Sequence, residues 1–184
     1  YLITAPDYSR EAWLKEKYSL GLDFPNLPYY IDGDVRLSQS NAILRYLGRK
    51  YDLEATTEQE KIRVDLVSDE LKDFQHVMES MCYGPQFEAL LPQFTKDLPT
   101  KLKLFEAFLG DRIWLAGDKM TFVDFVMYEL MEQHEVLLPN CLNGYPKLQA
   151  FQKRFEDLPT IKAYMSSDKF MKGPVCNKMA SFKK

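Results

Sequence analysis

The stretch Leu27-Pro-Tyr-Tyr-Ile-Asp-Gly-Asp-Val-Arg-Leu37 decides the fold of the first part of the chain. Strand-forming residues on both sides of an Asp-Gly turn predict an antiparallel hairpin. Apolar residues at helical spacing predict a helix over 41–50, and the segment 10–17 is typical of a short helix before the hairpin. The order helix, hairpin, helix predicts an α/β unit, which we place at residues 1–51.

The remainder of the chain shows the patterns of an all-helical domain, which we place at residues 57–184. Thr57 and Glu60 form a capping-box sequence, and apolar residues follow at helical spacing until the Gly84-Pro85 stop. A second helical stretch ends at Gly110. Further helix starts are predicted at three places: a second capping box from Thr121 to Asp124, Pro146, and the region of Pro159.

Composition excludes several classes of function. The 184 residues carry a net charge of −3, so no basic excess is present for non-specific binding of nucleic acid. Cys82, Cys141 and Cys176 are widely spaced and no CxxC occurs, which argues against zinc, iron–sulfur and thioredoxin-type sites. The sequence contains no run of 18 apolar residues, so it predicts no membrane span. This cysteine usage suits a reducing, cytoplasmic compartment.

The common catalytic signatures are also missing from the sequence, including nucleotide-binding glycine loops and metalloprotease or hydrolase motifs. A Cys–His catalytic pair is rejected because Cys82 lies six residues from His76 on one predicted helix, and this spacing places the two on different faces.

One cluster of candidate binding residues lies in the first predicted helix. Arg10, Trp13 and Lys17 are spaced to share one helix face, where two cations beside an indole could hold a carboxylate. The alternative is a solvated basic face with Trp13 half in the core.

Two further clusters flank the hairpin. Asn26-Leu27-Pro28 opens the first strand, where a cis proline would expose the Leu27 backbone to an extended peptide, although spacing alone favours a trans proline at a strand edge. Gln39-Ser40 opens a helix whose N-terminus favours an anion, unless Ser38 or Ser40 is simply its N-cap. Together, the three clusters suit a short extended peptide with an acid at each end.

The whole chain resembles the cytosolic glutathione transferases, most closely the mu class. The segments that carry this resemblance are 5–17, 20–33, 39–47, 60–65 and 121–125, together with 174–175 and 178–180 near the end. It implies a partial thioredoxin-like N-terminal domain followed by an all-helical C-terminal domain (α/β plus all-α).

The resemblance implies roles for individual residues. Those expected to bind glutathione are Arg10, Trp13 and Lys17 for the glycine carboxylate, Asn26 and Leu27 beside a family cis-proline at Pro28, Gln39 and Ser40 for the γ-glutamyl carboxylate, and Asp73 of the partner subunit for the ammonium group. Tyr83 matches a tyrosine that faces the electrophile. Family members are homodimers, and Phe24 matches an aromatic residue that inserts into the other subunit, unless it is an ordinary core phenylalanine.

The chain departs from the family in two respects. The family activates the glutathione thiol with a tyrosine on the first strand, whereas Tyr1 and Tyr8 do not match that position. No catalytic residue is therefore assigned in this chain, and we expect the tyrosine to lie upstream of Tyr1 in an incomplete form of an ordinary enzyme. The long helix also offers polar residues where the family tends to be apolar. Together with tail residues these predict a more polar electrophile pocket: Lys72, His76, Glu79, Cys176 and Asn177.

The sequence therefore predicts an enzyme that conjugates reduced glutathione to small hydrophobic electrophiles by thiolate attack. Glutathione is a co-substrate, and neither a metal nor a redox cofactor is implied. The alternative is a non-catalytic protein of the transferase fold that binds ligands, has a crystallin-like structural role or acts as an adaptor.

Overall fold

Residues 9–182 are described by the structure, which is a computed structural model. The chain divides into two units, Tyr1–Glu54 and Ala55–Lys184. The first unit has the predicted order of helix, hairpin and helix. Its elements are α1 (Glu11–Glu16), β1 (Tyr29–Asp32), β2 (Val35–Ser38) and α2 (Ser40–Lys50).

The hairpin is antiparallel, with Tyr29 paired to Ser38 at one end and Asp32 to Val35 at the other. Gly33 takes a φ of 59° in the tight turn, a conformation that glycine adopts without a steric cost. The Asp32 carboxylate accepts hydrogen bonds from the Tyr46 hydroxyl and the Lys50 ammonium, which fixes α2 against the turn. The predicted Asp-Gly turn is therefore confirmed.

The segment between α1 and β1 is held along the second strand. The Arg36 guanidinium donates to the Leu20 carbonyl at 3.0 Å, and the Ser38 hydroxyl donates to the Phe24 carbonyl at 2.5 Å. Gly21 has a φ of 68°, and a Cβ added there would lie 3.2 Å from the Arg36 side chain. The Phe24 side chain remains 74% exposed within this unit, so the expectation of an ordinary core phenylalanine does not hold there.

Five helices lie in the described part of the second unit, and their bounds confirm the predicted helix starts. They are α3 (Glu58–Tyr83), α4 (Phe87–Leu109), α5 (Phe122–Leu137), α6 (Pro146–Glu156) and α7 (Pro159–Met165). The long helix α3 packs against α4 and α5, while α6 packs against α4, α5 and α7. None of the helices within residues 9–182 is long and apolar enough to span a bilayer.

Both predicted capping boxes are formed. At the start of α3, one Glu60 oxygen accepts from the amides of Thr56 and Thr57, and these contacts lower the pKa of Glu60 to about 2. At the start of α5, the Asp124 carboxylate is buried, and burial raises its pKa to about 6. The same local motif therefore occurs once near solvent and once inside the core.

Apolar side chains from four helices fill the core of the second unit. Fully buried examples are Leu71 of α3, Leu102 of α4, Met127 of α5 and Phe151 of α6. Each such side chain contributes roughly 1.5–3 kcal/mol through its removal from water. Among the described residues of this unit the cysteines are free thiols, and no group of three or more His, Cys, Asp or Glu side chains could hold a metal.

After α7, residues 167–182 form turns but no helix or strand, and they return to the end of α3. The amides of Ser181 and Phe182 donate to the Cys82 carbonyl at 2.7 and 3.3 Å, and the Ser181 hydroxyl donates to the Gly84 carbonyl. Phe182 packs on Phe87, with 5.6 Å between ring centroids. These contacts hold the C-terminal segment against the second unit.

Candidate functional site

The three candidate clusters of the first unit meet at one end of the hairpin. Because Tyr29 pairs with Ser38, residues 27–28 and 39–40 flank the hairpin at the end opposite its turn. The Trp13 ring stacks on the Tyr29 ring, with 6.0 Å between centroids and 13° between planes. Tyr29 therefore brings α1 to the end where the other two clusters lie. Sequence reasoning missed this role of Tyr29, although an aromatic residue at the first position of a strand was a visible signal.

The cluster around α1 differs in one respect from its prediction. The helix covers only Glu11–Glu16, so that Arg10 is its N-cap residue and Lys17 its C-cap residue. Trp13 is buried, whereas Arg10 is exposed and Lys17 is half-buried, with its ammonium 5.3 Å from the centre of the Tyr18 ring. The indole thus belongs to the core of the unit, while Arg10 lies at its surface and Lys17 is partly covered.

The peptide bond between Leu27 and Pro28 is cis. The trans proline that spacing alone favoured is therefore wrong, and the cis-proline that the resemblance implied is confirmed. Leu27 is 41% exposed, and its amide donates to the side-chain oxygen of Asn26 at 2.9 Å. A carbonyl of an extended ligand would have to replace this oxygen in order to pair with the Leu27 amide.

The start of α2 is open. Gln39 is the N-cap residue with a φ of 70°, and neither it nor any other side chain of the described residues caps the helix. The serine N-cap expected as the alternative is wrong, because Ser38 donates to Phe24 and Ser40 is already the first helical residue. Both Gln39 and Ser40 are exposed. A positive φ at a residue other than glycine is uncommon and often marks a functional position.

The candidate residues of the second unit lie on α3. Asp73 is exposed, as are the predicted polar residues Lys72, His76 and Glu79. At the end of the helix, the Tyr83 hydroxyl accepts a hydrogen bond from the Asn177 amide at 3.0 Å, and burial raises the pKa of this hydroxyl.

No catalytic residue is assigned. Tyr1 and Tyr8, which were compared with the family's activating tyrosine, lie outside the described residues. Within residues 9–182, no three His, Cys, Asp or Glu side chains are grouped as a metal site would require. The described site therefore offers cations, backbone amides and one helix N-terminus, which are groups that bind carboxylates and an extended peptide.

Family models match both parts of the chain: the glutathione S-transferase N-terminal domain at residues 2–49 and its C-terminal domain at residues 72–168. Glutathione S-transferase Mu 1 of Bos taurus is 52% identical over 96% of this chain and 81% of its own length. The human Mu 1 protein is 51% identical over the same shares.

Solved structures agree with these sequence matches. The crystal structure of the glutathione S-transferase Blo t 8 has a TM-score of 0.87 at 34% identity and covers 95% of this chain and 83% of its own. The Pi-class enzyme of Onchocerca volvulus has a TM-score of 0.77 at 32% identity, covering 85% of this chain and 76% of its own. The fold is therefore a thioredoxin-like N-terminal domain followed by an all-helical domain. Both the curated relatives and the solved structures show that this chain belongs to the glutathione S-transferases, and the relatives place it in the mu class.

Proposed function

We propose that this glutathione transferase binds the tripeptide glutathione at the end of its hairpin opposite the turn and transfers it to small hydrophobic electrophiles. The observation that supports this site is the meeting of three ligand-binding features around Tyr29: the Trp13 stack, the cis peptide before Pro28 and the open start of α2. A γ-glutamyl tripeptide has a carboxylate at each end and a peptide between them, which matches these features in kind and number.

Each part of glutathione is assigned to one feature. Arg10 and Lys17 hold the glycine carboxylate, and Trp13 forms the wall between them. The Leu27 backbone pairs with the cysteinyl residue, with Asn26 alongside. The γ-glutamyl carboxylate lies at the start of α2, where Gln39 and Ser40 offer backbone amides, the Ser40 hydroxyl can donate a hydrogen bond and the helix dipole favours an anion.

The chemical step is attack of the glutathione thiolate on an electrophilic carbon. The protein accelerates it by positioning the two reactants and by lowering the thiol pKa, without a covalent enzyme intermediate. Tyr83 faces the electrophile in this proposal, and the exposed polar side chains of α3 and of the tail make that pocket more polar. We assign the thiol-activating role to no residue of this chain.

We further propose that the enzyme is a cytoplasmic homodimer. Phe24 is an exposed aromatic side chain that suits insertion into a partner subunit, and α3 exposes further apolar side chains, among them Ile62, Leu66 and Val77. Asp73 of one subunit would then pair with the γ-glutamyl ammonium bound to the other. Glutathione and the electrophile are the only small-molecule partners in this proposal, which includes no nucleic acid and no membrane.

A calorimetric cycle tests the assignment of the two carboxylates. Wild type and Lys17→Met are titrated with glutathione and with an analogue whose glycine carboxylate is an amide. Loss of one charge-assisted contact weakens binding of glutathione about tenfold. The same substitution should leave the affinity for the amide analogue nearly unchanged, since that analogue has no charge for Lys17 to hold.

Lys15 supplies the matched control, because it is an exposed lysine two residues before Lys17 and has no role in the proposal. Lys15→Met should bind both ligands as the wild type does. The γ-glutamyl end is tested in the same way with Ser40→Ala and an analogue that lacks the γ-glutamyl carboxylate. An equal loss of affinity for glutathione and for the amide analogue in Lys17→Met would show that the lysine does not hold the glycine carboxylate.

A further inference from the structure

The C-terminal segment places a second cysteine beside the end of α3. The amides of Ser181 and Phe182 donate to the carbonyl of Cys82, and the amide of Asn177 donates to the hydroxyl of Tyr83. Cys176 precedes Asn177, so the turn that bonds to Tyr83 also positions the Cys176 side chain. Two residues far apart in the chain are thereby brought together by backbone hydrogen bonds on both sides.

The two thiols lie in the same part of the folded chain. Cys82 and Cys176 belong to one buried apolar cluster, with 1% and 7% of their surfaces exposed, and Cys176 contributes after burial to the raised pKa of Cys82. Both are free thiols in this structure. Burial raises the pKa of the Cys82 thiol to about 12, so it loses its proton less readily than an ordinary cysteine.

We propose that Cys82 and Cys176 form a reversible disulfide that ties the C-terminal segment to the end of α3, with glutathione disulfide as the oxidant. Cys176, the more exposed thiol, attacks one sulfur of glutathione disulfide as its thiolate. The S–S bond of glutathione disulfide breaks, one glutathione leaves and takes up a proton, and Cys176 carries the other as a mixed disulfide.

Cys82 then loses its proton to solvent and attacks the Cys176 sulfur. The mixed disulfide breaks and the second glutathione is released and protonated. In balance, two protein thiols are oxidised to one disulfide and one glutathione disulfide is reduced to two glutathione molecules. This proposal goes beyond conjugation, since it requires neither an electrophile nor activation of bound glutathione.

The disulfide would have a structural effect close to Tyr83. Burial and, after it, the neighbouring Cys176 raise the pKa of the Tyr83 hydroxyl. Once the Cys176 sulfur is bonded to Cys82 it no longer carries a proton, and the segment that holds Asn177 is fixed covalently. Oxidation therefore changes the surroundings of Tyr83 while leaving Tyr83 itself unmodified.

Peptide mapping under non-reducing conditions tests the proposal directly. The Cys141→Ser variant is used, because Cys141 is the most exposed of the three thiols and is the site most open to unrelated mixed disulfides. The folded protein is treated with glutathione disulfide, and remaining thiols are alkylated before digestion. We expect the number of free thiols to fall from two to zero and the protein to lose the mass of two hydrogen atoms. The digest should contain a pair of peptides joined through Cys82 and Cys176, and dithiothreitol should reverse all of these changes.

Hydrogen exchange gives an independent readout in the same sample. The amides of Ser181 and Phe182 should exchange at least several-fold more slowly in the oxidised protein, and the rates should return on reduction. Cys176→Ser in the same background removes the cross-link and should show no such slowing. Its folding is checked by circular dichroism, and the peptide map of the Cys141→Ser protein does not depend on it.

Three outcomes would overturn the proposal. The first is glutathione remaining on Cys176 while Cys82 stays alkylatable. The second is a disulfide between two chains instead of within one. The third is both thiols staying reduced in the folded protein under glutathione disulfide concentrations that oxidise them once the chain is unfolded in urea.

Discussion

Replacing Asp124 by alanine should destabilise the second unit far more than the equivalent change at Glu60. Both carboxylates occupy the same position of a capping box. The Asp124 oxygens accept from the amide of Leu115 at 2.9 Å and from the amide and hydroxyl of Thr121 at 2.8 and 3.2 Å. Leu115 and Thr121 are themselves buried, so water cannot take over these bonds when the carboxylate is removed.

The size of the effect follows from two opposing contributions. Leaving two buried amides and one hydroxyl without acceptors costs roughly 6 kcal/mol in all, at about 1–3 kcal/mol each. Burial raises the pKa of Asp124 from 3.8 to about 6, and relief of this cost near neutral pH returns about 3 kcal/mol. We therefore expect Asp124→Ala to lower the free energy of unfolding by about 3 kcal/mol.

Tryptophan fluorescence can follow this unit separately. The chain has two tryptophans, and Trp114 lies directly before Leu115 with its ring edge against Phe151. In a Trp13→Phe background, urea unfolding monitored through Trp114 reports on the second unit alone. At a typical slope of about 2 kcal/mol per molar urea, the midpoint should fall by about 1.5 M. All variants are compared at one protein concentration, since association would shift the midpoint.

Glu60→Ala is the matched control. Its oxygen accepts from Thr56 and Thr57 at an accessible helix start, where water can replace the lost bonds. The midpoint should therefore move much less than for Asp124→Ala. Equal shifts for the two variants would refute the claim that burial of the donors, and not the capping motif itself, determines the cost.

Two further predictions concern pH and backbone conformation. Burial lowers the pKa of His134 from 6.5 to about 4, so the unfolded chain binds a proton between these values that the folded chain does not. His134 therefore lowers the free energy of unfolding as the pH drops through this window, by at most about 1.4 kcal/mol per unit, whereas Asp124, with its pKa raised from 3.8 to about 6, acts in the opposite direction over most of the same range. The difference in free energy of unfolding between the wild type and His134→Phe isolates the histidine contribution, and it should fall with the pH in urea unfolding followed by circular dichroism. Gly33→Ala places a Cβ in open space at positive φ and should cost about 1 kcal/mol, whereas Gly21→Ala also displaces Arg36 and should cost more in urea unfolding. Equal costs for the two glycine variants would contradict the second prediction.

Local signals in the sequence predicted most of the architecture. The Asp-Gly turn located the hairpin to within one or two residues, and the capping boxes at Thr57 and Thr121 located the starts of α3 and α5. These signals succeed because the contacts involved, a tight turn or a side chain bonding to an amide three residues away, lie within a few residues of each other. Tertiary packing then stabilises what the local sequence already favours.

Contacts between distant residues account for what the sequence left open. The Trp13–Tyr29 stack joins residues 16 positions apart, and the burial of Cys82 and Cys176 in one cluster depends on how the tail folds back. Serine is a favoured N-cap residue, but the Ser38 hydroxyl instead donates a hydrogen bond to the carbonyl of Phe24, in the segment before β1. Such competition between local and distant partners is decided only in the folded chain.

The start of α2 differs electrostatically from the starts of the other long helices, and this difference supports the proposal that it binds an anion. An absent side-chain cap is not in itself informative, since α4 also begins without one. Every helix of eight or more residues in the described part of the second unit has a carboxylate at its N-terminus. These carboxylates belong to Glu60 at α3, Glu88 at α4, Asp124 at α5 and, from a neighbouring helix, Glu106, which accepts from the first amide after Pro146 of α6.

The first turn of α2 contains no acidic residue, and no side chain of the described residues caps it. Among the described residues, its amides and the positive end of its dipole therefore lack the carboxylate that the other long helices have. A γ-glutamyl carboxylate at Gln39 and Ser40 would supply that missing charge. Among the described long helices, the one whose start lies beside Leu27 and Tyr29 has neither a side-chain cap nor an acidic residue in its first turn. The amides at this start are the ones that the proposed ligand carboxylate would bind.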